Sequence, residues 1–216
     1  DYLGDGLTES IILKLSQLPE LRVMARSTVF RYKGRSDEAR DIGKALGVSA
    51  VLTGRVLHRG NRLVISVELV DVDNNKLLWG EQYERKMSEL LATQREIATE
   101  ITNKLQLKLS GTDTKGLTKR YTNSDEAYQF YLKGRYHFAK RTKDDILKSV
   151  EYFQQAIKLD PNYALAYAGL ADSYNGMTAH PYLSPKEAVP QAKTAAEKAL
   201  EIDPSLGEAH ASLGFL

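Results

Sequence analysis

Four groups of residues in this 216-residue chain have the types and spacing to do chemistry. Asp71, Asp73 and Asn75 match the first three oxygen-ligand positions of a calcium loop, which also needs glycine at its sixth place and glutamate at its twelfth. Those places hold Lys76 and Gln82, so the segment reads as a turn between two strands. Gly4-Asp5-Gly6 has the form of an anion-holding turn at a helix N-terminus, but the third glycine of a dinucleotide fingerprint is missing and Asp5 reads as a helix cap. His58, His137, His180 and His210 are scattered, with no pair four residues apart, so no metal site converges. Arg22, Arg26, Phe30, Arg31, Tyr32, Lys33 and Arg35 interleave cations with rings, the mixture that stacks bases and neutralises phosphates. Other charges nearly balance that run, so solvated arginine is the plainer reading and no nucleic-acid partner is expected.

The chain has no cysteine, which excludes disulfides, thiolate metal ligands and a cysteine nucleophile. Neither G-x-S-x-G nor a phosphate-cradling P-loop occurs. No catalytic residue, cofactor-binding residue or metal ligand is therefore assigned, and the stretch reads as non-enzymatic. A net charge of +2 gives no steering toward nucleic acid or anionic lipid. No run of about eighteen apolar residues is present, so no membrane contact by this stretch is expected. The chain opens at Asp1 without methionine and ends at Leu216, and it reads as part of something longer.

Periodicity places these residues on elements. A helix capped by Asp5 carries Leu7, Ile11, Leu15 and Leu18 on one face, and Pro19 stops it. A short strand is predicted over residues 21–26, then a loop carrying Phe30 and Tyr32. A second helix begins at Ser36 with Ala39, Ile42 and Leu46 inward, and Gly47 ends it in the left-handed conformation. Three strands follow, over residues 48–57, 63–69 and 76–85, with short turns that imply an antiparallel meander. The only tryptophan, Trp79, is expected in the core under a long helix that starts at Ser88 and carries Leu90, Ile97, Ala98, Ile101, Leu105 and Leu109. Residues 1–110 thus read as an α+β domain, an antiparallel meander packed by helices. Residues 111–123, rich in glycine, threonine and basic residues, read as a linker. Residues 124–216 read as an all-α helical-repeat domain, with helices at 125–139, 146–159, 163–176 and 186–202 and a truncated unit from Leu206. Asp144 and Asp145 are placed in an inter-helix loop, and Pro181, Pro185 and Pro190 in a longer one.

The repeat is visible as YFQQAIKLDPNYALAYAGLADSY returning as AAEKALEIDPSLGEAHASLG. Tyr167, Leu170, Ala171, Tyr174, Ala192, Ala196, Ala199 and Pro204 give one unit an order that resembles tetratricopeptide repeats. The preceding unit offers Phe130, Gly134, Ser149, Phe153, Ala156 and Pro161, with Lys133 where that family carries leucine. The first half resembles the amino-terminal domain of TolB through DGLTESIILKLSQLPELRVMARSTVFRYKGR and ALGVSAVLTGRVLHRGNRLVISVELVDVDNNKLLWGEQYERKMSELLATQREIA. That family carries a further strand ahead of Asp1. In its relatives this pair of domains follows a serine/threonine kinase, a nucleotide cyclase or a winged-helix module, often across a membrane segment. The resemblance implies a sensor or scaffold region, extracytoplasmic on the periplasmic side of a bacterial membrane-anchored protein, or alternatively cytoplasmic.

In stacked helical hairpins the first helices line a concave surface. Counting from Gly134 and Ala171, the groove residues are Tyr128, Tyr131, Arg135, Phe138, Asp172 and Asn175, and they are the candidate partner-binding set for a protein or peptide. Tyr131 and Arg135 are expected to project into open groove, so that truncating them opens no cavity. A second reading has the aromatic members bracing the linker or the first domain. Either way, the family's clamp for a peptide carboxylate needs asparagine at the Arg135 and Asp172 positions, and neither has it. The truncated third unit predicts that Ala192, Ala196 and Ala199 are partly bare or covered by a second molecule, a route to self-association. The leading functional reading is a non-catalytic scaffold segment that binds protein through the concave face. The alternative is a ligand-sensing module between the domains that regulates an attached kinase or cyclase.

Overall fold

Gly60 fixes the register of the sheet. It opens a two-residue turn at φ +60°, a backbone sign that glycine takes without a Cβ clash, and it sets Arg59 opposite Arg62. The computed structural model describes residues 2–105, 119–179 and 182–216. Its strands β1 (Ala50–Arg59), β2 (Arg62–Asp71) and β3 (Lys76–Lys86) form an antiparallel meander with β2 in the middle. In the second turn the Asp71 carboxylate accepts the Asn74 backbone N–H at 3.0 Å and its side-chain amide at 3.1 Å. These two bonds, backbone first, hold the Asp71 carboxyl below its ordinary value. The oxygens that would lead a calcium loop are committed to a turn.

The helices of the first half are α1 (Tyr2–Ser16), α2 (Arg26–Val29), α3 (Ala39–Leu46) and α4 (Leu90–Lys104). By its contacts the chain divides into two units, Leu7–Lys119 and the pair of segments Asp1–Gly6 and Arg120–Leu216. In the first unit Leu63, Ile65, Val67 and Leu69 of β2 and Trp79 and Tyr83 of β3 form one buried face. Leu90, Ile97, Ala98 and Ile101 of α4, which packs on β3, are buried as well. Leu7, Ile11, Leu15 and Leu18 are buried as their spacing predicts. The opposite sheet face meets α3 at one end, where a Cβ added to Gly43 would overlap Val72 and approach Val51 to 3.0 Å. Gly47 ends α3 at φ +64°.

Several expectations are corrected. Residues 21–25 make no strand, because the three-stranded sheet offers them no ladder, and the chain goes straight into α2 and a 3-10 turn at Phe30–Tyr32. Asp5 does not cap α1. The helix starts earlier, at Tyr2, so Asp5 sits in the first turn, where its charge still favours the positive helix end. Gly4-Asp5-Gly6 is helical, and Gly6 is small because a Cβ there would meet Leu132 at 2.6 Å. In the basic and aromatic run, Arg26 pairs with buried Glu9 at 3.2 Å and lies 4.0 Å over the Phe30 ring, so that ring face is already covered. Lys14 on α1 is 9% exposed, and its ammonium donates to the Lys119 carbonyl at 3.2 Å. Burial, then the nearby Arg95 guanidinium, pulls the Lys14 ammonium down to about 8.

The second unit is helical: α5 (Asp125–Lys140), α6 (Lys143–Leu159), α7 (Ala164–Ala179), α8 (Pro185–Ile202) and α9 (Gly207–Gly214). The architecture is therefore an α+β part followed by an all-α part, as expected. Ser124 caps α5 by accepting the Ala127 N–H at 3.1 Å, and Thr142 caps α6 by accepting the Asp145 N–H at 3.2 Å. Asp145 lies within the first turn of α6, not in a loop. Its carboxyl is held at about 2 by hydrogen bonds from Thr142, His137 and Lys140. Pro185 opens α8 at the position where its missing N–H costs nothing, and Pro190 lies inside the helix, not in the loop. Among the sequence-based expectations, Leu109, residues 111–118 of the linker, His180 and Pro181 lie outside the described residues.

Helix α9 packs on both α7 and α8. Ala199 is buried with Leu206 and Ala209, and Ala196 with Ala171, while Leu170 and Leu213 pack against them. Ala192, Ala196 and Ala199 are accordingly buried, not bare. Alanine presents so little surface that one short helix is enough to cover it.

Candidate functional site

Phe153 of α6 organises the helical unit. Its ring is 0% exposed, and Cβ atoms added at Gly134 of α5 and Gly169 of α7 would meet it at 2.6 and 2.5 Å. The two missing side chains let three helices close on one ring. Ser149 and Ser173 join α6 to α7 nearby through a buried 2.8 Å hydrogen bond. Beside Phe153, Tyr131 lies 5.9 Å from its ring and 5.3 Å from that of Tyr163, and Tyr128 stacks on Tyr131 at 6.4 Å. Full burial, then the neighbouring Tyr131 and Tyr128, pushes the Tyr163 phenol well up.

This cluster corrects the expected groove. Tyr131 is 4% exposed, and Tyr128 and Phe138 are buried too. They face inward because the glycines at 134 and 169 draw the helices close enough for aromatic rings to fill the contact. Tyr131→Ala would therefore empty a core position. Asn175 is also buried; its Nδ2 donates to the Ser212 carbonyl of α9 at 2.9 Å.

Arg135 and Asp172 remain at the surface, with side chains 22% and 28% exposed. Arg135 Nη1 donates to Asp172 Oδ2 at 3.4 Å, and Ser212 Oγ donates to Asp172 Oδ1 at 2.5 Å. A polar strip thus crosses from α5 through α7 to α9. At its α5 end the Arg141 guanidinium lies 4.0 Å over the Phe138 ring, with that of Arg135 at 6.0 Å. Arg141 reaches this place because it ends α5 in the left-handed conformation, at φ +60°. Counting helical positions finds Arg135, Asp172 and Asn175 but misses both Ser212 and Arg141. Ser212 belongs to the truncated unit, and Arg141 follows the helix end. Ser212 lies forty positions along the chain from Asp172, on the first helix of the next repeat, and continuing the count into α9 was the available signal for it; the second has none in sequence.

Chemically, the strip can hold charged and hydrogen-bonding groups. Among the described residues no set of three or more His, Asp or Glu side chains gathers as a metal site. His137 Nδ1 lies 2.7 Å from Asp145 Oδ1 and its ring stacks on Tyr152 at 5.2 Å, a packing role at the α5–α6 corner.

Comparison with known proteins adds a regulatory context. Residues 2–103 match the family model described as the second domain of HilA/YgeH-like transcriptional regulators. The chain is 29% identical over 222 aligned residues to a putative adenylate cyclase 3 of Rhizobium meliloti (strain 1021), an alignment that covers 99% of this chain and 37% of that protein. It is 28% identical over 170 residues to the transcriptional regulator HilA of Salmonella paratyphi A, and 27% identical to that of Salmonella typhimurium, with 76% of this chain and 29% of each regulator covered. The chain is thus similar to both regulators and a cyclase, and spans 29–37% of the length of these relatives.

Proposed function

We propose that this stretch is a non-catalytic regulatory segment of a bacterial signalling or transcription-control protein, and that its helical unit is a tetratricopeptide-type scaffold that binds a protein or peptide. In this reading the sheet unit is the TolB-like partner of that scaffold. The observation that carries the proposal is the polar strip on three successive first helices, in which partly exposed Arg135 and Asp172 are anchored by buried Ser212 above a core rich in apolar and aromatic side chains. Similarity to both a cyclase and transcriptional regulators supports a role shared by unlike output modules, which is what an interaction segment supplies.

Selection of a displayed peptide library on the intact chain and on the double variant Arg135→Gln/Asp172→Asn tests this. An ion pair still open to solvent on one side contributes about 0–1 kcal/mol, and glutamine and asparagine keep the polar contacts, so the variant is expected to melt within a few degrees of the parent. Peptides enriched on the parent should bind the variant at least about tenfold more weakly, the loss typical when a central arginine contact is removed. Enriched peptides that bind both proteins equally would place the interaction elsewhere.

A further inference from the structure

The end of the sheet at the Gly60 turn carries a row of like charges. The register sets Arg59 directly opposite Arg62, and Arg62 directly opposite Lys86, so three cations lie side by side across all three strands. Directly opposed residues share a sheet face, and like charges in that arrangement repel. All three side chains are exposed, and none is in an ion pair with a carboxylate among the described residues. The nearby acids are otherwise placed: Glu89 accepts the Lys86 backbone N–H at 2.7 Å, and Glu96 accepts from Arg85 at 3.1 Å. Glu84 shares the face one row diagonal to Arg62 without forming a pair.

Cations on edge strands commonly serve to prevent sheet-to-sheet pairing, and that accounts for Arg59 on β1 and Lys86 on β3. It does not account for Arg62, which stands on the central strand with both ladders filled. A central-strand arginine between two cations costs stability, and a ligand that neutralises the row recovers it.

We propose that this row is an interaction surface for an acidic protein segment whose carboxylates bridge Arg59, Arg62 and Lys86. Adjacent strands lie about 5 Å apart, so the row spans roughly 10 Å and matches two or three carboxylates on one peptide. Two arginine forks suit bidentate carboxylate binding. An acidic peptide fits better than a nucleic acid because the chain as a whole carries only +2, too little to surround a polyanion. The surface lies in the sheet unit and does not depend on how the helical strip is used.

The test measures binding of a fluorescent peptide alternating glutamate and serine to the intact chain in about 50 mM salt, beside a duplex DNA probe. The expected result is saturable peptide binding that falls about tenfold in Arg62→Thr and further in Arg59→Thr/Arg62→Thr. Both variants should melt at or above the parent temperature, because repulsion is relieved and threonine suits a strand. Peptide affinity unchanged in the variants, no saturable peptide binding, or tighter binding of DNA than of peptide would each overturn the assignment.

Discussion

Phe153→Ala should unfold the helical unit or bring it to the edge of unfolding. The ring is 0% exposed and, from α6, meets both neighbouring helices at the bare backbones of Gly134 and Gly169. Truncating a fully buried phenylalanine costs about 3–5 kcal/mol, transfer and cavity terms together. This site belongs at the upper end. Gly134 and Gly169 have no side chains that could swing in to fill the space, so collapse would have to move whole helices. Each kcal/mol shifts the melting temperature of a unit of this size by about 4–8 °C. Loss of more than about 12 °C in the helical transition is expected. A drop of only a few degrees would mean that Phe153 is not the hub of this packing.

The second large effect is Trp79→Ala in the sheet unit. Trp79 is 8% exposed, stands opposite Leu69 and shares the buried face with Tyr83, on the strand against which α4 packs. Removing it again costs about 3–5 kcal/mol. The register adds a reason for sensitivity. Pairing shifts between Leu69 and Val70, so that Leu77 meets Val70 while Trp79 still meets Leu69. A bulge of this kind turns side chains to a chosen face, and Trp79 is the first buried side chain after it. Without the indole, nothing large holds that bulge to the core. Tryptophan fluorescence is lost with the residue, so circular dichroism should follow the melt; an unchanged curve would remove Trp79 from the core.

The sheet was legible because its signals are local. Leu63, Ile65, Val67 and Leu69 alternate, and Gly60 and Asn75 mark the turns, so strand order could be read from spacing, whereas the strands run on to pair Arg59 with Arg62, both left outside the expected strands. The strand expected at residues 21–26 failed for the opposite reason: apolar residues suggest an extended chain, but only a neighbour makes it a strand. Proline favours a loop at position 190, yet α8 carries Pro190 inside the helix, where the carbonyl it deprives belongs to exposed Lys186. On α5 the period of 3.6 identified which residues share a face but not which face is wet. Tyr131 and Arg135 are one turn apart and both suit a groove, yet one fills the core and the other stays half-exposed. What separated them was the depth allowed by Gly134 and Gly169, set by contacts with the Phe153 ring, which is distant from both in the chain.

Buried Lys14 makes folding of the sheet unit a proton-releasing reaction in alkaline solution. The ammonium ionises at about 8 in the folded chain against an ordinary 10.5, so between those values the unfolded chain holds a proton that the folded chain has given up. Below about pH 8 both forms are charged and the burial penalty is present in full. Stability should therefore climb as pH rises toward 10.5. Refolding near pH 9 in weak buffer should acidify the medium, and Lys14→Met should abolish that release while raising the neutral-pH melting temperature.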